Sequence, residues 1–324
     1  MRRHVFALMA AMMAALLLAA GPAAAQPAYP TKPLRIITPY ATGSSVDAIA
    51  RIVGAKLSES LGQPVIVDPR PGANTVIGSE AMTKAPADGY TLLLVSTTHV
   101  LNGLLIPNLP YDTFKDFAPV ATIASSELIL VASTKVSANN VKELIALGKT
   151  KELTYATSSA GGPTHIAAEL FSSLAGIKLT HIPYKGSGPA VTDLLGGHVD
   201  IGWTSPLAVI PQINAGKLKA IAISGNTRGP ALPQVPTFAE EGIQGFDMRF
   251  WYALLAPAGT PRDIVNKLSA EVAKILATPD MKDKLAAQGA DPFISSPEQF
   301  AAVMRADSAR YEKVIKAAGI KLAE

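Results

Sequence analysis

The stretch that decides the fold reads LRIITPYATGSSVDAIAR, from Leu34 to Arg51. It opens as a short apolar run, Leu34 to Thr38, and passes through a loop of small polar residues at 42–45. Apolar residues then recur at helical spacing from Val46 to Leu57, which predicts a helix. A strand that turns into a helix in this way exposes N–H groups without helical partners at the positive end of the helix dipole. The stretch is therefore a candidate seat for a carboxylate or phosphate.

A second interpretation of the same stretch stays open at this point. It also fits an ordinary strand–helix connection in which Ser44, Ser45 and Asp47 serve only as helix caps. For Asp47 we favour capping over ligand contact.

The N-terminus has the pattern of a secretory signal peptide. Arg2 and Arg3 precede an apolar run at about 5–20, and the segment ends in Ala-x-Ala at Ala25. We expect cleavage after Ala25, so that 1–25 is a signal peptide. No later run approaches the length of about 20 residues that spans a bilayer, so we expect a soluble mature protein.

Composition excludes several function classes. The chain has no Cys, which rules out disulfides, thiol catalysis, cysteine metal sites and a lipoprotein anchor. Removing Arg2 and Arg3 leaves 27 Lys plus Arg against 25 Asp plus Glu, a net charge of +2 without a long basic run. Nucleic-acid binding is therefore disfavoured. A chain that is exported but has no disulfides is typical of a protein of the bacterial periplasm.

Strands and helices alternate along the rest of the chain, which predicts an α/β fold with mostly parallel sheets. The size suggests two domains of roughly 150 residues. Thr157 to Gly162 is a second small, polar, glycine-containing loop between a strand and a helix, like Thr38 to Ser45. If each domain contributes one such loop beyond its strand ends, two helix N-termini face one cleft and grip a carboxylate. We expect bulky residues at Gly43 or Gly161 to block the loop N–H groups.

Signatures of enzymes are missing. No Ser lies in a Gly-x-Ser-x-Gly elbow, and Glu143 stands where a phosphate loop ending in Gly148-Lys149-Thr150 needs its first Gly. The five His residues lack metal-ligand spacing. We therefore expect no enzyme activity, no metal and no cofactor; a secreted hydrolase is the least favoured alternative.

Motifs through nearly the whole mature chain carry a family resemblance. They are, in order, Tyr29-Pro30-Thr31-Lys32-Pro33-Leu34-Arg35, Ala48-Ile49-Ala50-Arg51, Leu61-Gly62-Gln63-Pro64-Val65, Arg70-Pro71-Gly72-Ala73, Asp88-Gly89-Tyr90-Thr91-Leu92, His181-Ile182-Pro183-Tyr184-Lys185-Gly186 and Trp251-Tyr252-Ala253-Leu254-Leu255-Ala256-Pro257. The chain resembles the periplasmic substrate-binding proteins of tripartite tricarboxylate transporters, the TctC-like or Bug-type receptors.

The resemblance implies a type II periplasmic binding protein: two Rossmann-like lobes, joined by two crossover strands, that close like a Venus flytrap. Lobe 1 would combine 26–125 with 250–324, and lobe 2 would be 126–249. The ligand would be an organic acid, delivered to the large and small membrane subunits of a transporter. We expect a monomer. A periplasmic carboxylate sensor that feeds a two-component kinase is the alternative.

Two departures from the family pattern bear on the ligand. Ser44 replaces the second Gly of the usual Gly-Gly pair, which keeps an N–H and adds a hydroxyl. Trp203-Thr204-Ser205 stands where the family often has Asp-Asn, so a carboxylate is lost and an aromatic face is gained. An indole face would stack on a flat ligand. This favours an aromatic mono- or dicarboxylate such as a phthalate isomer, then an aliphatic di- or tricarboxylate, over an amino acid.

The candidate ligand-binding residues lie in the two loops and at the ends of neighbouring strands. They are Tyr40, Thr42, Gly43, Ser44, Ser45, Thr97, Ser158, Ser159, Gly161, Gly162, Thr164, His165, Trp203, Thr204 and Ser205. The sequence leaves open whether His165, His99, Lys185 and Trp203 contact ligand or serve the fold.

Overall fold

The computed structural model describes residues 29–184, 186–225, 227–229, 232–246 and 248–320. The predicted signal peptide with its cut after Ala25, and Lys185, lie outside the described residues.

The described residues form eleven strands and ten α-helices in an α/β arrangement. The strands are β1 (Leu34–Thr38), β2 (Val65–Pro69), β3 (Thr91–Ser96), β4 (Phe117–Glu127), β5 (Ile129–Ser133), β6 (Leu153–Thr157), β7 (Leu179–Pro183), β8 (Ile201–Thr204), β9 (Leu218–Ile223), β10 (Arg249–Pro257) and β11 (Asp291–Pro292). The helices are α1 (Ser45–Leu61), α2 (Val76–Thr83), α3 (Thr98–Leu105), α4 (Val141–Gly148), α5 (Pro163–Ala175), α6 (Ser187–Gly196), α7 (Ile210–Asn214), α8 (Arg262–Leu276), α9 (Pro279–Ala286) and α10 (Pro297–Ala318). Short 3₁₀ turns span Ala73–Thr75 and Pro206–Ala208.

The strands make two sheets, and each sheet is the centre of one lobe. We call the part built on the six-stranded sheet, order β11-β4-β10-β3-β1-β2, lobe 1. The part built on the five-stranded sheet, order β7-β6-β8-β5-β9, is lobe 2. The predicted boundaries at 125/126 and 249/250 stay a prediction; along the chain, the change from the first sheet to the second comes at Leu128, between β4 and β5.

Both sheets are mixed, whereas the sequence predicted mostly parallel ones. β1, β2 and β3 are parallel, but β10 runs antiparallel to β3 and β4. In lobe 2, β6, β7 and β8 are parallel, and β5 runs antiparallel to β8 and β9. The short edge strand β11 also runs antiparallel to β4. β5 and β10 are the strands that enter each lobe from the other one, and their direction follows from that entry.

The strand directions also place the two crossovers. Ile129 at the start of β5 pairs with Thr204 at the end of β8, and Arg249 at the start of β10 pairs with Glu127 at the end of β4. The chain therefore passes between the lobes at the carboxyl edges of both sets of parallel strands. In open α/β sheets, ligands bind at this edge.

Strand alternation divides the core into layers. Ile36 and Leu92 face α1 and α8, while Ile37 and Leu93 belong to the cluster on the opposite face of the sheet. That second cluster continues into lobe 2. The long helix α10 packs against α3 of lobe 1 and α5 of lobe 2, and so braces the two lobes.

Two polar contacts fix α10 in place. Ser296 and Gln299 form a reciprocal capping box at its start. Farther along, Asp307 accepts a hydrogen bond of 2.8 Å from the buried Trp251 indole and one of 2.6 Å from Arg310. Within the residues that the structure describes, no helix is both long enough and apolar enough to cross a membrane.

Candidate ligand site at the carboxyl edges

Loop 1, residues 39–44, joins β1 to α1 and is shaped by Asp47. Gly43 has a φ of +83°, a conformation that favours glycine, and its N–H donates to Asp47 Oδ2 at 3.0 Å. Asp47 also binds the Arg51 guanidinium with both carboxylate oxygens, at 3.0 and 3.1 Å. Ser44 caps the helix by accepting the Asp47 N–H at 3.2 Å. The Ser44 hydroxyl, at the N-cap, and the Asp47 carboxylate, in the first helical turn, thus hold the loop around the helix start.

The N–H of Gly43 itself is therefore not available to a ligand, because it is already donated to Asp47. The donors left at this helix start are the N–H groups of Ser45 and Val46, which the first turn of a helix leaves without intrahelical acceptors. Thr42 and Ser45 are exposed beside them.

Burial and hydrogen bonding act in opposite directions on Asp47. Its side chain is only 3% exposed, and burial alone would raise the pKa of the carboxyl. Hydrogen bonds from Arg51 and from the Gly43 N–H outweigh that effect, so that the pKa of Asp47 lies below its usual value. The loop is therefore held by a charged acceptor, and Asp47 is a capping residue as the sequence suggested.

A hydroxyl cluster lies next to loop 1. Tyr40 Oη and Ser96 Oγ are 2.6 Å apart, and Ser96 Oγ donates to Thr98 Oγ1 at 3.2 Å. Thr97 is buried. Its Oγ1 accepts a hydrogen bond of 3.0 Å from the backbone N–H of Trp251, and its own backbone N–H donates to the Trp251 carbonyl. Tyr40 and Thr97 thus join loop 1 to β3 and to the entering strand β10.

Loop 2, residues 158–162, joins β6 to α5 and repeats the construction of loop 1. Gly161 has a φ of +68°, and its N–H donates to His165 Nδ1 at 2.9 Å. As in loop 1, the acceptor is the side chain four residues after the glycine. The Gly161 N–H is therefore not available to a ligand either. Ser158 Oγ and Thr164 Oγ1 lie 3.3 Å apart beside the start of α5.

A second histidine supports loop 2 from β7. The Thr157 hydroxyl donates to the Ser159 carbonyl at 3.1 Å, which leaves its oxygen to accept from His181 Nε2 at 2.6 Å. His181 also stacks on His165, with ring centroids 3.9 Å apart. His181 was not among the ligand-binding residues predicted from the sequence, because nothing in the sequence shows that β7 lies beside β6.

Trp203 lies in the core of lobe 2 and not at the cleft. It is 2% exposed and packs against Phe171 of α5 at 5.5 Å and edge-on to Tyr155 at 6.1 Å. An indole in this position offers no face to a ligand. The argument for an aromatic ligand depended on that face and no longer holds.

The two residues after Trp203 reach the carboxyl edge. Thr204 is buried, and its Oγ1 has no hydrogen-bond partner among the described residues. Ser205 faces Gly289 of lobe 1, where a Cβ added to the glycine would lie 3.3 Å from Ser205 Oγ. Ser205 is thus placed between the lobes.

His99 is a buried residue of lobe 1. Its Nε2 lies 3.2 Å from the Thr113 carbonyl, and its ring contacts Phe117 edge-on and Tyr111 in parallel. Burial lowers the pKa of His99 to about 4, although the Thr113 carbonyl acts in the opposite direction. His99 therefore serves the fold as a neutral imidazole.

This burial predicts an acid-labile contribution to stability. Because the folded pKa lies below the unfolded value of about 6.5, the contribution is complete above pH 6.5 and is lost as the pH falls toward 4, by about 3 kcal/mol at the limit. His99→Gln, whose amide can still donate to Thr113, should flatten the dependence of the unfolding free energy on pH over this range. Urea denaturation between pH 7 and 4 measures it. His198→Gln at an exposed position is the control; equal slopes for wild type and His99→Gln would contradict the assignment.

Among the residues that the structure describes, no group of three or more His, Asp or Glu side chains could hold a metal ion. Chemically, the two loops offer helix-start N–H groups and hydroxyls, without an uncompensated buried cation in either loop. Such neutral donors suit an anion whose charge is spread over carboxylate oxygens.

Comparison with known proteins agrees with this architecture. The profile of the tripartite tricarboxylate transporter family receptors matches residues 49–320. BugT of Bordetella pertussis is 39% identical over 298 residues, which cover 91% of each chain. Rpa4515 of R. palustris, solved with adipate, is 34% identical with a TM-score of 0.79, covering 90% of this chain and 99% of that one. MatC of Rhodopseudomonas palustris, solved with malate, is 30% identical with a TM-score of 0.73, covering 89% and 100%.

The matched residues span most of the chain, and the two-lobed fold is shared with these structures. The chain therefore belongs to the tripartite tricarboxylate transporter receptor family, a family of periplasmic solute-binding proteins of the Bug type.

Proposed function

We propose that this protein is a periplasmic receptor that captures an organic carboxylate between loop 1 and loop 2 and delivers it to a tripartite transporter. One observation carries the proposal: two loops of the same construction, each turned by a positive-φ glycine and rich in hydroxyls, lie at the carboxyl edges where the chain crosses between the lobes. The relatives solved with adipate and malate support a carboxylate as the occupant.

An aliphatic dicarboxylate is the ligand class that we favour. Each loop supplies donors for one carboxylate, and a short aliphatic chain would join two such groups across the cleft. The buried position of Trp203 withdraws the reason for ranking aromatic acids first. No acidic side chain among the proposed contacts is placed to receive an ammonium group, which disfavours amino acids.

Delivery of the ligand to the transporter depends on closure of the lobes around it. Ligand favours the closed state because only there do both loops bind it. The proposed lobes are 26–125 with 250–324, and 126–249. The proposal includes export through the signal peptide at 1–25, a monomeric receptor, and the large and small membrane subunits of the transporter as partners. It includes no catalytic step and no cofactor.

A ligand panel tests the proposal. Thermal-shift measurements followed by calorimetric titration would compare adipate, malate, citrate, terephthalate and aspartate on the mature chain. We expect aliphatic dicarboxylates to bind most tightly and to reduce the radius of gyration in small-angle scattering. Tight binding of aspartate alone, or saturation with no change of radius, would contradict the proposed ligand class or the closure.

The hydroxyl pair of loop 2 gives a sharper test. Ser158→Ala and Thr164→Ala each remove a donor to a charged oxygen, a contribution of about 1.5–3 kcal/mol, so each should weaken the tightest dicarboxylate at least about tenfold. Thr192→Ala, on the exposed face of α6, is the matched control and should bind like wild type. Undiminished affinity in both loop variants would remove loop 2 from the site.

A further inference from the structure

The two ligand loops share one construction but differ in the group that holds them. In loop 1 the Gly43 N–H is held by the Asp47 carboxylate at 3.0 Å; in loop 2 the Gly161 N–H is held by the His165 imidazole at 2.9 Å. A carboxylate accepts hydrogen bonds at any pH above its pKa. An imidazole accepts only while one ring nitrogen is unprotonated, because the imidazolium carries a proton on both nitrogens and has no acceptor.

This contact assigns the tautomer of His165. Nδ1 accepts from Gly161, so in the neutral ring the proton is on Nε2. Nε2 points toward Glu169 Oε1, at 3.9 Å on the same helix face. A proton added to His165 has to go to Nδ1, and there it would meet the Gly161 N–H head-on.

The groups around His165 determine how readily its imidazole takes up that proton. His181 of β7 stacks on one face at 3.9 Å, and Tyr155 of β6 lies beside both rings and donates to Glu169 at 2.5 Å. Glu169 would attract an imidazolium. Burial, and then the neighbouring His181, oppose it and lower the pKa of His165 to about 4. His181 itself donates to Thr157, so its own protonation would leave that contact intact.

We propose that His165 is a positioning residue that holds loop 2 in its ligand-binding shape, and that protonation of His165 releases the Gly161 N–H and weakens carboxylate binding. The inference rests on the proposed function, because it gives a regulation to the same site. Loop 1, held by Asp47, keeps its shape through the same change of pH. The receptor thus has one ligand loop whose shape is stable to acid, loop 1, and one whose shape is lost in acid, loop 2.

Variants separate this role from a merely structural one. His165→Asn places an amide oxygen close to the position of Nδ1 and keeps an acceptor that does not titrate, whereas His165→Leu removes the acceptor. With adipate and malate at pH 7.5, we expect His165→Asn to bind within about threefold of wild type and His165→Leu at least about tenfold more weakly. Rescue by Asn and not by Leu identifies the accepted hydrogen bond as the functional contact.

The pH profile is the decisive measurement. The ratio of wild-type affinity to His165→Asn affinity cancels the protonation of the ligand itself. It should stay constant from pH 7.5 to 6 and fall about twofold by pH 4.0 and further at pH 3.5. Parallel profiles for the two proteins would overturn the inference.

A measurement on the ligand-free wild-type chain makes the test independent of the choice of ligand. In NMR spectra, the His165 ring should show the Nε2–H tautomer at pH 7, and the Gly161 amide shift should titrate with the same midpoint as that ring. A Gly161 amide that does not follow His165 overturns the inference even if ligand binds. If wild type binds neither acid at pH 7.5 while Gly161 and His165 titrate together, the loop switch stands and the ligand class of the proposed function fails.

Discussion

Trp203→Ala is expected to lower the free energy of unfolding by about 3–5 kcal/mol and to leave the affinity for a carboxylate nearly unchanged. The ring fills the space between β8 and α5, against Phe171 and Tyr155, and its removal would leave a cavity that the surrounding strands cannot close. The loss would therefore appear in the fold and not in the site. Urea denaturation gives the stability, and calorimetry on the folded fraction gives the dissociation constant.

Trp203→Phe is the matched control for this substitution. The indole Nε1 has no acceptor among the described residues, so Phe loses contact area but no hydrogen bond. We expect a cost of about 1–2 kcal/mol, well below that of Ala. If Trp203→Ala had near-normal stability but bound the ligand tenfold more weakly, Trp203 would instead border the cleft.

The burial of Trp203 is partly visible in the sequence. Alternate residues of a strand face the same side of a sheet, and Ile201 and Trp203 both belong to the core cluster that contacts α5. The resemblance to the family suggested a ligand-facing position for Trp203, because the family often has polar residues at this place. The alternation, in contrast, predicts a buried ring. Which face of β8 is covered depends on α5, and that packing could not be seen from the sequence alone.

The strand of the opening stretch was predicted best. β1 has the predicted bounds, Leu34–Thr38, where a short apolar run ends at a threonine. Helix starts are harder to read from the sequence. The helix α4 begins at Val141, where Asn140 accepts the Glu143 N–H at 2.8 Å, although Ser137 and Asn139 just before it are also cap-forming residue types. Several cap-forming residues occur together there, and only tertiary packing selects one.

The candidate site was predicted as two loops, but the use of their N–H groups was not. Gly43 and Gly161 were predicted to border N–H groups that are open to the ligand, whereas the N–H of each glycine is held by the side chain four residues later. The spacing Gly-x-x-x-Asp at 43–47 and Gly-x-x-x-His at 161–165 is visible in the sequence and could have indicated this contact. Such spacing becomes informative only once both glycines are known to have positive φ.

The strongest consequence of that contact concerns Asp47. Asp47→Ala should lower the free energy of unfolding by about 2–3 kcal/mol, because it leaves the Gly43 N–H without its acceptor and the Arg51 guanidinium without its bidentate partner. It should also weaken the tightest dicarboxylate at least about tenfold, since the helix-start N–H groups of Ser45 and Val46 are positioned by the same loop. Denaturation and calorimetry measure the two effects separately.

Two controls decide what Asp47 contributes. Asp47→Asn retains an oxygen that can accept the Gly43 N–H but loses the charge, so it should keep most of the ligand affinity while losing part of the stability. Glu312→Ala breaks an exposed pair of the same i,i+4 type with Lys316 and should change neither quantity measurably. If Asn were as damaging to binding as Ala, the charge of Asp47 rather than its hold on Gly43 would be the essential property. Loop 1 would then depend on the ion pair with Arg51, and its contribution to ligand binding would weaken with added salt. The contribution of loop 2 would not depend on salt in this way, because loop 2 is held by a neutral imidazole.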